Sequence, residues 1–330
     1  MKILLISGFL GAGKTTFIKA MAKATGREFV IVENEFAEDG IDGQLLSQDE
    51  ATAKMEIREI AEGCICCSLN LDFSLSVLTI ANTLHPDYLL VEPSGVAQPT
   101  AIIENLEKIQ YERISLLAPI TIIDAENYFQ QRKQFRNYFE DQLIAAGTLV
   151  LSKSESLSPK EFAEIASFLD VPEDVDFPDR HYSRWSKEEW LSLLTKEFSG
   201  EDIKRVGDRF TSRGIKREAD EELESLSLDE LSFNNPDQLY AFLEEILQGK
   251  FGDILRAKGF VTFHNETLHV ELVSNQFSLT GLGDICPKEL SHELFRVKGA
   301  GDERITLNKL IIIGKYLKKE ALQERARESL

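Results

Sequence analysis

The chain has 330 residues, 43% apolar and 28% charged, the composition of a soluble globular protein with room for about two domains. Its formal net charge of −19 argues against a nucleic-acid partner, which demands clustered Lys and Arg, and against docking on anionic membranes. No apolar run approaches the roughly 18 residues of a spanning helix. The opening Met1–Ile6 stretch and the cleavage-like Ala20-Met21-Ala22 have a leader-like look, but Gly11, Gly13 and Lys14 break it and have a better use, so a cytoplasmic protein is expected.

In chain order, residues 2–7 form a short apolar strand and 14–24 a helix with Phe17, Ile18 and Met21 on one face. Glu28–Val32 is a second strand, and the apolar runs Tyr88–Val91, Ile120–Ile123 and Thr148–Leu151 have the length and flanks of buried strands. Helical stretches at 71–82, 99–109 and 134–146 separate them. This alternation predicts an α/β fold with a mostly parallel sheet and helices on both faces.

The pattern weakens after about residue 170, and 211–222 is charged without an apolar period, so a linker is placed there between a domain at 1–210 and another at 223–330. The second domain opens with alternation around Leu226 and Leu228. A helix near 236–249, strands at 259–264, 267–273 and 309–313, and a polar closing helix follow. It is expected to be smaller, α+β, with a largely antiparallel sheet.

Between the first strand and helix, Gly8-Phe9-Leu10-Gly11-Ala12-Gly13-Lys14-Thr15 satisfies G-x-x-x-x-G-K-[ST]. Such glycines let successive backbone N–H groups converge on phosphate oxygens, and the helix adds its positive N-terminal end. Gly8, Gly11, Ala12, Gly13 and Thr16 are therefore expected along the phosphates, Lys14 at the β- and γ-phosphates, and the Thr15 hydroxyl on Mg²⁺. A second acid is needed at a neighbouring strand end. Glu92 supplies it, with Gly95 three residues on to sense the γ-phosphate; Asp124 is the competitor.

Three of the four cysteines crowd into Cys64-Ile65-Cys66-Cys67, which in a reducing compartment suggests metal or redox chemistry rather than a disulfide framework. Thiolates joined by carboxylates favour Zn²⁺ or Co²⁺ over Cu(I). One of the adjacent Cys66 and Cys67 is a candidate spectator; a tight turn opened by Gly63 and a redox switch are the alternatives. Cys286 reads as a buried small hydrophobe, the five histidines as scattered, with His264 and His269 solvent-facing, and Trp185 and Trp190 as packing a helix onto the first domain.

The phosphate loop, Glu33-Asn34-Glu35-Phe36, Gly63-Cys64-Ile65-Cys66-Cys67 and Glu92-Pro93-Ser94-Gly95-Val96-Ala97-Gln98-Pro99 follow one another in that order. Together they resemble the CobW-type GTPases, relatives of the HypB and UreG nickel-insertion GTPases. Arg256-Ala257-Lys258-Gly259 and Ile311-Ile312-Ile313-Gly314 resemble marks of that family's C-terminal domain. The resemblance implies a P-loop GTPase domain and slow GTP hydrolysis coupled to handling a transition metal. Glu33, Glu38 and Cys66 match metal-binding positions of relatives, with Cys64 and Cys67 beside them. Three departures stand out. Ser152-Lys153-Ser154-Glu155 replaces the usual Asn-Lys-x-Asp that reads guanine, Ala37 replaces a common glycine, and a histidine-rich loading loop is missing.

The expected protein is thus a GTPase metallochaperone using GTP/GDP, Mg²⁺ and Zn²⁺ (or Co²⁺), serving a client metalloprotein, with a homodimer allowed. Its rival is a nucleotide-gated adaptor whose cysteines only stabilise a turn. An ATP-using small-molecule kinase is a third reading, resting on the altered Ser152–Glu155 segment alone.

Overall fold

The computed structural model describes residues 1–33, 55–59, 71–95, 97–110, 113–215, 224–229, 231–233, 236–263, 266–273, 276–281 and 308–327. The chain divides into two units, 1–217 and 218–330.

The first unit is built on a parallel sheet. Its strands are β1 (Lys2–Gly8), β2 (Phe29–Glu33), β3 (Met55–Glu59), β4 (Tyr88–Glu92), β5 (Ser115–Leu116), β6 (Ile120–Asp124) and β7 (Thr148–Ser152). They lie in the order β3-β2-β4-β1-β6-β7, with β5 also beside β1 and every pairing parallel. The helices are α1 (Lys14–Thr25), α2 (Leu71–Thr83), α3 (Pro99–Lys108), α4 (Tyr128–Gln134), α5 (Arg136–Ala145), α6 (Pro159–Leu169), α7 (Lys187–Leu193) and α8 (Gly200–Ser212).

Because successive strand residues face opposite ways, β1 serves two cores. Ile3 and Leu5 join Val30, Val32, Leu89 and Val91 under Ile102 and Leu106 of α3 and Val206 of α8. Leu4 and Ile6 join Ile31, Leu90, Ile120 and Ile122 under Phe17, Ile18 and Met21 of α1 and Trp190 of α7. Each such fully buried side chain contributes roughly 1.5–3 kcal/mol. The central strand is thereby fixed from both faces, and the loop leaving its C-terminal end inherits that rigidity.

The expected alternation holds, but the chain after residue 170 is more ordered than its apolar pattern indicates. Capping boxes open α7 (Ser186 with Glu189) and α8 (Ser199 with Asp202), as one already opens α6 before residue 170 (Ser158 with Glu161), each satisfying two orphan N–H groups. The stretch expected as a linker begins inside this unit: Thr211 and Ser212 finish α8, and Ile215 packs on the core. Its start was hidden because α8 buries only a narrow face, Ile203 and Val206. Residues 216–222 lie outside the described residues.

The second unit has β8 (Glu224–Leu228), β9 (Ser232–Phe233), α9 (Pro236–Leu247), β10 (Asp253–Phe263), β11 (Glu266–Val273), β12 (Gln276–Gly281), β13 (Lys309–Lys315) and α10 (Lys319–Arg327). Its sheet runs β12-β11-β10-β13-β8, antiparallel throughout, with short β9 parallel to β10. Phe242 and Leu243 of α9 and Leu322 of α10 cover Ala257, Val261, Val270 and Ile312. His269, expected to face solvent, is 7% exposed: register sets it opposite Phe260, and the two rings lie 5.3 Å apart. His264, Cys286 and His292 fall outside the described residues.

Candidate functional site

The loop after β1 takes its shape from glycines. Gly11 and Gly13 hold φ of 69° and 86°, values a side chain resists, and Gly13 opens α1 with its carbonyl accepting from the Phe17 N–H at 3.0 Å. Ala12 is buried and its N–H bonds the Phe9 carbonyl at 3.1 Å. Lys14 folds back over the loop, its Nζ donating to the Gly8 carbonyl at 3.1 Å and the Phe9 carbonyl at 3.5 Å. Thr15 Oγ1 donates to Glu92 Oε1 at 3.3 Å. Thr16 is exposed on the same first turn.

That contact separates the two candidate acids. Glu92, at the end of β4, meets the loop hydroxyl. Asp124, at the end of β6, is 1% exposed and engaged elsewhere: it accepts from the N–H groups of Glu126 and Asn127, from Asn127 Nδ2, and from Lys153 Nζ at 2.7 Å. A carboxylate so saturated has a structural explanation. It also holds Lys153, whose backbone is left-handed at φ 52°.

The turn after β4 packs directly on the phosphate loop. A Cβ on Gly95 would stand 2.5 Å from the Leu10 N and 2.8 Å from its Cα, so only glycine permits the approach. Gln142 Nε2 of α5 supports the turn by donating to the Gly95 carbonyl at 3.0 Å. Asp141, fully buried, accepts from the Thr100 N–H and Oγ1 at 3.1 and 2.5 Å and so caps the first turn of α3. Gly95→Ala should therefore overpack the two loops and cost at least about 1 kcal/mol. Urea unfolding checks this; an unchanged midpoint would show that the loops part freely.

Ser152 ties the third element to the loop. It is 2% exposed, and its Oγ donates to the Ala12 carbonyl at 2.6 Å. The first residue of the segment that stands in place of Asn-Lys-x-Asp thus makes a bond between β7 and the loop. Glu155, three residues on, has its side chain 64% exposed with Oε1 3.4 Å from His181 Nε2. Sequence reasoning passed over His181, Arg184, Asp141 and Gln142, which reach the site from far along the chain and leave no local motif.

Glu33 ends β2, its backbone in register with Glu92 of β4. Glu38, Cys64, Cys66 and Cys67, the other candidate metal residues, lie outside the described residues. The loop, Glu92, Glu33 and Ser152 thus share the C-terminal edge of one parallel sheet, where α/β sheets bind their ligands. Among the described residues, no helix is long and apolar enough to cross a membrane.

The chain matches the family model for the CobW/HypB/UreG nucleotide-binding domain over residues 2–171, and that for the cobalamin synthesis protein cobW C-terminal domain over 223–330. It is similar to the zinc chaperone YeiR of Escherichia coli, 37% identical over 159 residues, covering 47% of each chain. To the zinc chaperone CobW of Pseudomonas aeruginosa it is 31% identical over 194 residues, 50% of this chain and 52% of that one. The chain thus spans about half the length of these curated relatives. A zinc-regulated GTPase metalloprotein activator of Saccharomyces cerevisiae is 22% identical across 99% of this chain and 82% of its own. With the first model covering the phosphate loop and all seven strands of the parallel sheet, and the second covering residues 223–330, the chain belongs to the CobW/HypB/UreG family.

Proposed function

We propose that this protein is a GTP-binding, GTP-hydrolysing metallochaperone that couples its nucleotide state to the binding and delivery of a transition metal, zinc first among the candidates. The observation that carries the reading is the contact of Thr15, in the first turn of α1, with Glu92 at the end of β4, and Glu33 in register beside Glu92. It joins a phosphate loop to a segment that the family uses for metal, and the relatives' names as zinc chaperones support the choice of ion.

In this reading the loop N–H groups and Lys14 hold the phosphates, and the Gly95 N–H answers to the γ-phosphate. Thr15 and Glu92 offer hard oxygens 3.3 Å apart, a donor pair that fits Mg²⁺; when bound, the ion neutralises charge on the phosphate oxygens. Glu155 accepts from guanine N1–H and N2–H, so GTP is preferred over ATP. Basal hydrolysis is slow, on the order of 10⁻⁴ s⁻¹, as in GTPases that lack an arginine finger. Glu33, Glu38 and Cys66, with Cys64 and Cys67 beside them, take zinc as cargo. The domain from about residue 223 docks a client metalloprotein in the cytoplasm.

The test is metal content. The protein equilibrated with zinc and passed through a desalting column should keep about one ion per chain, because thiolate–carboxylate sets hold Zn²⁺ well. Cys66→Ser should lose most of it while binding GTP normally. Equal zinc in both proteins would return the reading to a nucleotide-gated adaptor.

A further inference from the structure

Replacing the usual Asp by Glu155 in the base-reading segment adds a rotatable bond to a carboxylate that is largely exposed. An unrestrained side chain of this kind loses affinity when it must be ordered on a ligand. The fold places a restraint beside it. Residue 176 runs parallel to β7, with the Leu149 N–H bonding the Asp176 carbonyl at 2.8 Å. The chain continuing from there brings His181 to the same sheet edge as Glu155. Arg184 fixes the backbone end of the pair, donating to the Glu155 carbonyl at 2.8 Å.

His181 is 4% exposed and is itself anchored. Its ring lies 4.0 Å from that of Tyr182, and Tyr182 packs edge-on to Phe17 of α1 at 5.2 Å. The histidine therefore rests, through one aromatic neighbour, on the helix that begins with Lys14. His181 caps the short 3₁₀ turn Tyr182–Arg184: its Nδ1 accepts from the Ser183 N–H at 3.2 Å and meets Ser183 Oγ at 2.8 Å. An Nδ1 that accepts carries no proton, so in the neutral ring the proton sits on Nε2. Burial pushes the imidazole pKa down, against the pull of Glu155 and with the help of Arg184, and this favours the neutral form.

Nε2 is buried and makes no hydrogen bond among the described residues, a position that costs stability unless it is satisfied. The Glu155 carboxylate comes within 3.4 Å of it through Oε1. We propose that His181 is the positioning residue of the base-reading site: its Nε2–H holds one oxygen of Glu155, so that the longer side chain presents its carboxylate to guanine already ordered. The proposal rests on Glu155 reading the base, as given above. It makes the Glu155–His181 pair the replacement for the shorter aspartate.

Two substitutions divide the ring's duties. His181→Asn keeps an acceptor where Nδ1 stands, and Asn is a good cap, but it removes the Nε2 donor. His181→Gln keeps an N–H near the Nε2 position and gives up the cap. Equilibrium binding of Mg²⁺-GTP and Mg²⁺-ATP to the full chain should show roughly five- to tenfold weaker GTP binding in His181→Asn, with ATP unchanged. His181→Gln should retain the GTP preference. In a Glu155→Ala background, His181→Asn should have no further effect.

Equal losses for GTP and ATP in His181→Asn, or an undiminished loss in the Glu155→Ala background, would assign His181 a purely structural role and overturn the proposal. If His181→Asn does not fold, His181→Leu against His181→Gln makes the same comparison. A lowered GTP preference in Glu155→Ala with none in His181→Asn would refute the positioning alone. An unchanged preference in Glu155→Ala would refute the base-reading role and the positioning with it.

Discussion

Lys14→Ala is expected to abolish tight triphosphate binding, weakening it by about 100-fold or more while leaving the fold intact. Its ammonium lies over the carbonyls of Gly8 and Phe9, centred on the loop, and is the charge the motif sets against the β- and γ-phosphates. A hydrogen bond to a charged partner is worth roughly 1.5–3 kcal/mol, and this side chain serves two phosphates. The loop's own shape does not depend on it. Gly11 and Gly13 set the backbone, Ser152 ties Ala12 to β7, and Gly95 packs on Leu10. Calorimetric titration with Mg²⁺-GTP should therefore give no measurable tight binding, while thermal unfolding without nucleotide stays near that of the parent. A Lys14→Ala variant that binds GTP as the parent does would refute the phosphate-site assignment, and with it every role proposed above.

What the sequence made legible follows the reach of its signals. The phosphate loop is one local segment between a continuous apolar run and an amphipathic helix, so strand, loop and helix could be placed together. The runs at Tyr88, Ile120 and Thr148 were legible because strands buried on both faces are apolar at every position. Strand β3, Met55-Glu56-Ile57-Arg58-Glu59, lies at the sheet's edge and is more than half charged, so its composition hides it. Helices α6 to α8 did leave a signal, in Ser158, Ser186 and Ser199 each followed three residues later by an acid. The apolar period alone did not register it.

The site divides in the same way. The expectation for Glu92 and Gly95 rests on a local pattern, a strand-end acid with a glycine three residues on. Which of Glu92 and Asp124 faces the loop is a matter of strand order: β4 and β6 flank β1 on opposite sides, and Asp124 is taken up by Lys153 and Asn127. The bond by which Ser152 fastens the loop left no local trace, because its partner, the Ala12 carbonyl, is 140 residues away in the chain. His181 reaches Glu155 through an aromatic cluster that mixes residues from α1, the 3₁₀ turn and α7. No spacing rule connects such residues.

Zinc affinity is expected to differ between the GTP- and GDP-bound protein by roughly 5- to 150-fold, a coupling of about 1–3 kcal/mol. Strands β2 and β4 are neighbours, about 4.8 Å apart, and Glu33 is in register with both Glu92 of β4 and Glu59 of β3. Glu92 meets Thr15, the residue assigned to Mg²⁺. On the proposed assignment, a zinc ion held through Glu33 would lie about one strand from Glu92. Any shift of Glu92 on gaining or losing the γ-phosphate changes the field at a dication nearby, and sheet pairing prevents the two strand ends from relaxing independently. Reciprocity then requires that zinc change the GTP/GDP preference by the same factor. Competition against a chromophoric zinc chelator, with GDP or a non-hydrolysable GTP analogue bound, reads the first half of this cycle. Nucleotide titration with and without zinc reads the second. Two halves that agree and differ from unity would make hydrolysis the step that changes the protein's hold on its cargo. Identical zinc affinities in the two nucleotide states would remove the coupling, however tightly each ligand binds, and leave the adaptor reading.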